Sequence, residues 1–440
     1  MPLSLKSLTE YPLRRGLYDE VHSRPPTDVE GQLLCTHFAV LTGERGAEAE
    51  RERISELAAE MKAPLTRDFG NHLSHDLGPV RLVWERHTEF STYTFFKPLK
   101  GEMTPEQVFA CAPLSDLPDS ASHLFDGEIL TAVKLAVIPR PEAALEPLLP
   151  TVFGENKLTG SRLAKGLATA WTDLRLDADG FGRVLIANEK LRPGRMGRML
   201  QRLIEIETYR MTALLGFPLA REVTPEIGDM EGALAEIASE TATIRGLADE
   251  QKQLARLTEL AAHAERLSAQ TEYRFSASRA YYELVERRLG ELDEAKMEGF
   301  QQISTFVTRR LRPAMRTVEA VSRRLNTLSE HIGRASELLR TRVDIALQEQ
   351  NQRLLGSVER GVRLQLRLQE MVEGLSAVAI AYYLLSILAY PLEALHETAH
   401  GVGLPGTPII WKAVLGPLLI IVIYLLIRRM GRVLRGPEDE

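Results

Sequence analysis

Over the first 224 positions, apolar residues come in short runs rich in branched and aromatic side chains. They lie at Leu33–Leu41, Val80–Trp84, Thr88–Phe96, Leu130–Ile138, Ala168–Leu176 and Arg183–Asn188, bounded by Gly, Pro or Asp. Runs of this length and make-up predict β-strands. Asp177-Ala178-Asp179-Gly180 predicts a hairpin turn between the last two. It lacks the further ligands of a calcium loop. Between the strands, Glu48–Lys62 predicts a charged helix. Arg195–Leu215 predicts a stronger one, with Met199, Leu203, Ile206, Met211 and Leu214 at helical spacing.

Beyond Pro225 the pattern changes. Apolar residues recur at steps of three and four among many Arg, Glu and Gln, which predicts long helices packed on each other and on the α/β body. Breaks are expected near Gly290–Gly299 and near Gly333. From Leu347 a heptad seam runs through Asn351, Leu354, Val358, Gly361, Gln365, Leu368, Val372 and Leu375. Asn351, Gly361 and Gln365 are candidates to face a hydrated axis between helices. A plain coiled coil within one subunit accounts for the same spacing.

Two long apolar runs close the chain. Gly374–Leu392 has no charge, and Pro408–Ile427 has only Lys412, beside Trp411, near its start. At about 1.5 Å per residue each is long enough to cross a hydrocarbon core of about 30 Å. Lys412 can snorkel, and Trp411 suits the interface. Buried core helices are the alternative. Arg353, Arg360, Arg363 and Arg367 precede the first run; Arg428, Arg429, Arg432 and Arg435 follow the second. The connecting loop, Glu393–Thr407, has no Lys or Arg. The excess of basic residues at both outer ends places both termini in the cytoplasm.

The expected fold class is therefore an α+β cytoplasmic domain, then a long α-helical bundle and stalk, then a two-helix transmembrane hairpin. The expected domains are residues 1–224, 225–373 and 374–440, with spans at 374–392 and 408–427. Extending the seam into the first span makes Ser376, Tyr383, Ser386 and Tyr390 the candidates to line a pore. Interfacial anchoring or helix packing is the simpler role for the tyrosines.

Charge and chemistry narrow the picture. A net charge of -6 over 440 residues gives no basic field for nucleic acid. Cys35 and Cys111 have no metal or redox spacing and fit a reducing compartment. The first fifteen residues have no apolar core of a signal peptide. No phosphate loop, dinucleotide fingerprint or nucleophile elbow is present, so neither an enzyme activity nor a cofactor is expected. In the loop, His396-Glu397-Thr398-Ala399-His400 matches the HExxH zinc-protease pattern. A loop of about fifteen residues supplies no shell to exclude water around a metal. Glu393, His396, Glu397 and His400 are better read as a cluster that concentrates cations at a pore mouth, or as a merely solvated loop. Two polar strings, Asp19–Pro26 and Trp84–Phe90, mix acid, base and His as a site can. An ion-pair network holding the N-terminal segment on the sheet is the favoured reading. The enzyme reading requires His22, Arg24, Glu85 and His87 to converge on one pocket.

YPLRRGLYDEVHSRPP (11–26), WERHTEFSTYTF (84–95), QRLIEIETYRMTALLGFPLARE (201–222) and EGLSAVAIAYYLLSIL (373–388) resemble the bacterial domain-of-unknown-function 3422 family over essentially the whole chain. The resemblance implies a proteobacterial inner-membrane protein and assigns no activity. In organisation the chain is also similar to the CorA-type divalent-cation channels, pentamers whose first span lines the pore and whose outer loop carries Gly-Met-Asn. Here Gly401-Val402-Gly403 stands at that place, with no Asn, so magnesium selectivity is not implied. The expectation is an oligomeric channel or transporter for a cation, with the lipid bilayer, further copies of the chain (five if CorA-like) and the cation as partners. The alternative is a membrane-anchored scaffold with no transport.

Overall fold

The computed structural model describes residues 11–14, 17–18, 27–43, 47–64, 70–111, 113–140, 145–244, 246–398 and 408–434. Two compact units result: Met1–Ala242 with Ala255–Ser336, and Thr243–Leu254 with Glu337–Glu440.

The first unit is built on one eight-stranded sheet. Its strands are β1 (Leu33–Leu41), β2 (His72–Asp76), β3 (Arg81–Arg86), β4 (Phe90–Pro98), β5 (Glu128–Pro139), β6 (Thr159–Leu163), β7 (Ala168–Leu176) and β8 (Gly182–Asn188). The spatial order is β2-β3-β4-β1-β5-β8-β7-β6, antiparallel throughout except for the parallel β5–β8 pair. All six expected strands are present. The turn after β7 closes as expected, with Asp177 N–H donating to Phe181 O and Gly180 N–H to Asp177 O. Gly180 holds φ +84°, a conformation that favours glycine. β2 and β6 were not expected. β6 is an edge strand, and isolated bridges Thr159–Gln301 and Arg162–Ala295 cover its outer side.

One face of the sheet packs on α1 (Ala47–Glu60), α2 (Pro105–Ala110), α3 (Leu149–Phe153) and the 3-10 turns at 113–124. Phe38, Val40, Trp84 and Phe95 bury against Ile54, Leu57 and Leu124 at one end; Leu34, Ile138, Trp171 and Leu185 bury against Val108, Val152 and Phe153 at the other. Strand alternation sends Cys35, His37, Leu135 and Val137 to the opposite face, where α4 (Pro193–Leu214) lies.

The rest of this unit is helical. It comprises α5 (Gly216–Thr243) and parts of α6 (Leu247–Gly290) and α7 (Ile303–Thr398), whose residues 247–254 and 337–398 belong to the second unit. Ile227, Met230 and Ile237 of α5, Leu260, Leu267 and Phe275 of α6, and Leu311, Val318, Leu325 and Ile332 of α7 are buried at helical spacing. Arg324–Glu231 links α7 to α5, and Arg256–Glu236 and Arg256–Glu240 link α6 to α5. The expected break at Gly290–Gly299 is the α6–α7 connection. The expected break at Gly333 is absent: α7 continues through it, with Ile332 and Leu339 buried on either side, because packing outweighs the about 1 kcal/mol helical penalty of a glycine.

In the second unit, Leu339 and Val343 of α7 are buried, and Arg342 pairs with Glu250 of α6 at 2.9 Å. α7 then runs on to Thr398, so Glu393–Thr398 is helical backbone rather than the loop expected there. The last helix is α8 (Pro408–Leu434). Ala377 and Ala381, one turn apart on α7, are buried against Ile423, Leu419, Ile420 and Ile427 of α8. Small residues let the two backbones approach. Among the described residues, one helix, α7, carries a stretch long and apolar enough to cross a membrane by length and composition. α8 carries a shorter apolar segment, Gly416–Ile427.

Candidate functional site

The α/β unit holds a polar pocket between the sheet and α4. β3 builds one wall by alternation. Trp84 and Arg86 point to one side, where the Trp84 indole N–H donates to Glu50 Oε2 at 2.8 Å and Arg86 Nη1 donates to Glu50 Oε1 at 2.5 Å. Glu50, from α1, is buried, and with Tyr93 OH donating to Oε2 at 3.4 Å it is a carboxylate held by three donors in the core. Glu85, on the other side of β3, and His87, just beyond the strand, face the pocket instead. Glu85 lies 3.8 Å from His72 Nε2 of β2 and 3.8 Å from His87 Nε2. His87 stacks on Phe90 with ring centroids 4.5 Å apart.

β1 supplies His37 to the floor. Its Nδ1 meets Thr94 Oγ1 at 2.9 Å and its Nε2 meets Thr208 Oγ1 at 3.0 Å. Full burial, with His87 nearby as a second imidazole, pulls its pKa down to about 3. The ring is therefore neutral at physiological pH and can donate to one hydroxyl and accept from the other.

α4 closes the pocket with Gln201, Glu205, Thr208 and Tyr209. Gln201 Nε2 donates to Glu205 Oε1 at 3.0 Å, and Glu205 pairs with Arg288 of α6, which also binds Glu291 at 2.9 Å. Burial raises the pKa of Glu205, with Arg288 opposing the rise. Burial, with the Glu205 and Glu85 carboxylates near, also raises that of Tyr209. The entry of the N-terminal segment is fixed at Gly197, where any Cβ would lie 1.8 Å from Thr27 O.

The pocket encloses about 60 Å³ of free volume. That holds a few waters and lies far below the roughly 300–1,000 Å³ of sites that enclose a small organic ligand. Among the described residues, no three His, Cys, Asp or Glu side chains converge to hold a metal ion. The arrangement can hold water between Glu85, His72 and His87.

The residues singled out in the sequence divide as follows. Glu85 and His87 do share a pocket; His22 and Arg24, with the rest of Asp19–Pro26, lie outside the described residues. Trp84, Arg86 and Glu89 instead form ion pairs and hydrogen bonds, Glu89 with Arg274 of α6. The pocket also draws on His37, His72 and Glu205, which were not expected. A stripe of Gln201, Glu205 and Thr208 at steps of four and three was the available signal on α4. In the second unit, Asn351, Gly361 and Gln365 are exposed on α7, as are Ser376, Tyr383 and Tyr390. Ser386 is half-buried and donates to Tyr382 O at 2.9 Å. Glu393, His396 and Glu397 lie on the helical backbone of α7; His400 lies outside the described residues.

The architecture is thus that of an α+β sheet domain continued by long helices, with a pocket between β3, β1 and α4 too small for a metabolite. The chain belongs to the family described as "Protein of unknown function (DUF3422)", whose model matches residues 9–434. No curated protein matches the chain significantly.

Proposed function

We propose that this protein is an oligomeric cation channel or transporter of the bacterial cytoplasmic membrane, favouring a divalent ion. In this reading residues 374–392 and 408–427 form a transmembrane hairpin with both chain ends in the cytoplasm, and the helical body gates the path. The observation that carries the reading is the character of α7. It is one uninterrupted helix from Ile303 to Thr398, amphipathic at its start and apolar towards its end. A shift of its cytoplasmic portion would then reach the apolar stretch with no loop between them. Two further points support it. α8 covers the Ala377–Ala381 face of α7 and leaves Ser376, Tyr383 and Tyr390, spaced by sevens, uncovered. Polar groups on a membrane helix face a partner or a water-filled path. The basic flanks and the acidic, histidine-bearing connection fit the same topology.

The scaffold reading rests on a different observation: only serine and tyrosine hydroxyls mark the exposed stripe of α7 within 374–392, and no carboxylate does. Here the hairpin is an anchor and the helical body binds proteins. Ion flux into proteoliposomes holding the full chain separates the two. A channel passes a divalent cation down its gradient; a scaffold passes none and keeps its function when the hairpin is exchanged for an unrelated two-span anchor.

A further inference from the structure

Residues 347–375 of α7 form a helix surface that nothing in the chain covers among the described residues. Leu354, Val358, Leu368, Val372 and Leu375 are each at least half exposed. In heptad terms Leu347, Leu354, Gly361, Leu368 and Leu375 occupy d, while Asn351, Val358, Gln365 and Val372 occupy a.

The charges decide what fits this surface. Position c holds Arg353, Arg360 and Arg367; b holds Glu359 and Glu373; f holds Glu349, Arg363 and Glu370. No charged residue stands at a, d, e or g. Positions e and g hold Leu355, Val362, Leu364 and Met371, with Gln and Ser at the rest. Two-stranded coils bury a and d and charge e and g; a surface apolar across a, d, e and g is wider than one partner helix covers. Within one copy Arg353 pairs with Glu349 and Arg363 with Glu359, exposed pairs of the weak kind that can exchange for partners on a neighbouring copy.

We propose that residues 347–375 assemble with further copies of the same helix into a parallel, in-register bundle of more than two strands. This deepens the oligomeric part of the function proposed above and rests on none of its transport claim. Two features identify the occupant as this chain. Around a ring of parallel helices the c flank of each copy meets the b flank of the next, and here c is basic and b acidic, so the surface is complementary to itself. Asn351 and Gln365 both meet their own kind only when the copies are in register; a one-heptad slip sets both against valine, where unpaired amides are costly, and a two-heptad slip pairs Asn351 with Gln365 only at the cost of most of the overlap.

The test uses single cysteine variants of the full chain, in membranes, with a short bis-maleimide. Cys35 is buried and Cys111 half-buried, so the unsubstituted chain supplies the background. Leu347→Cys and Leu368→Cys, both at d, are expected to link copy to copy about tenfold more than Arg363→Cys at f. An antiparallel pair can place at most one of them beside its own copy, so linking at only one overturns the parallel register. Yields at both no higher than at Arg363→Cys overturn the interface itself. The mass of the solubilised chain is expected to exceed two copies; a dimer overturns the strand number. Arg360→Glu should weaken the assembly about three- to tenfold, and Arg360→Glu with Glu359→Arg should restore it. No loss with Arg360→Glu overturns the charge argument. An intact bundle without ion flux leaves this inference standing and removes the channel; flux without α7 linking does the reverse.

Discussion

A buried neutral imidazole makes the α/β unit sensitive to acid, and His37 gives the size of the effect. Its folded pKa is about 3, against an ordinary value of 6.5 for the unfolded chain. Between these values the unfolded state carries a proton that the folded state refuses. Acid therefore favours unfolding: the contribution of His37 is complete above pH 6.5 and is lost as the pH falls towards 3. At pH 4.5 the chain has crossed two units of that window, which amounts to about 2.7 kcal/mol at about 1.36 kcal/mol per unit. Carboxylates titrate nearby, so the comparison is with His37→Gln, whose amide donates to one threonine and accepts from the other without binding a proton. Urea unfolding of the full chain in detergent, followed by the fluorescence of Trp84 and Trp171 in the sheet core, measures both at pH 7 and pH 4.5. The wild type should lose about 2–3 kcal/mol more than the variant between the two. Equal losses would refute the reasoning, because His37 would then be gaining its proton in the folded state.

Other outcomes follow from the same geometry. Glu50→Leu removes the acceptor shared by Trp84 and Arg86, leaves Arg86 on Thr42, Ser91 and the Gly43 carbonyl, and should cost about 1.5–3 kcal/mol in denaturant unfolding. Gly197→Ala forces the chain at Thr27 off α4 and should cost about 1–3 kcal/mol, read as a lower Tm. With Arg288→Gln the Glu205 carboxyl loses its opposing charge, and its pKa, followed by carboxyl infrared absorption, should rise further above the ordinary range. In intact cells an impermeant maleimide should label Val402→Cys without permeabilisation and Gly436→Cys only after it; the reverse pattern would invert the proposed topology.

What could be read from the sequence depended on how each element is covered. β1 and β7 match their expected bounds to the residue because their apolar runs are long and bounded by turn formers. β2, HLSHD, carries two histidines, a serine and an aspartate, and its burial comes from neighbours the local pattern does not reveal. β6, TGSRL, owes its place to the α6–α7 connection pairing along its edge. Gly333 reads as a break only when its flanking contacts are unknown. The pocket was half legible: Glu85 and His87 stand in a conspicuous polar string, but His37 is one polar residue in an apolar strand. Only the sheet order brings it beside a threonine on α4, 171 residues away. Composition located the exposed stripe of α7; its freedom from α8 is a matter of packing, since Ala377 and Ala381 take the opposite contact.

The central claim is that ions pass between copies of this chain. Full-length protein in sealed proteoliposomes, loaded with a dye that reports a divalent cation, tests it most directly. The account predicts influx that follows the gradient, needs no added energy source, and falls when Tyr383 or Tyr390 is replaced by lysine. No ion movement under any gradient, from a protein that is a monomer or dimer in detergent, would contradict it.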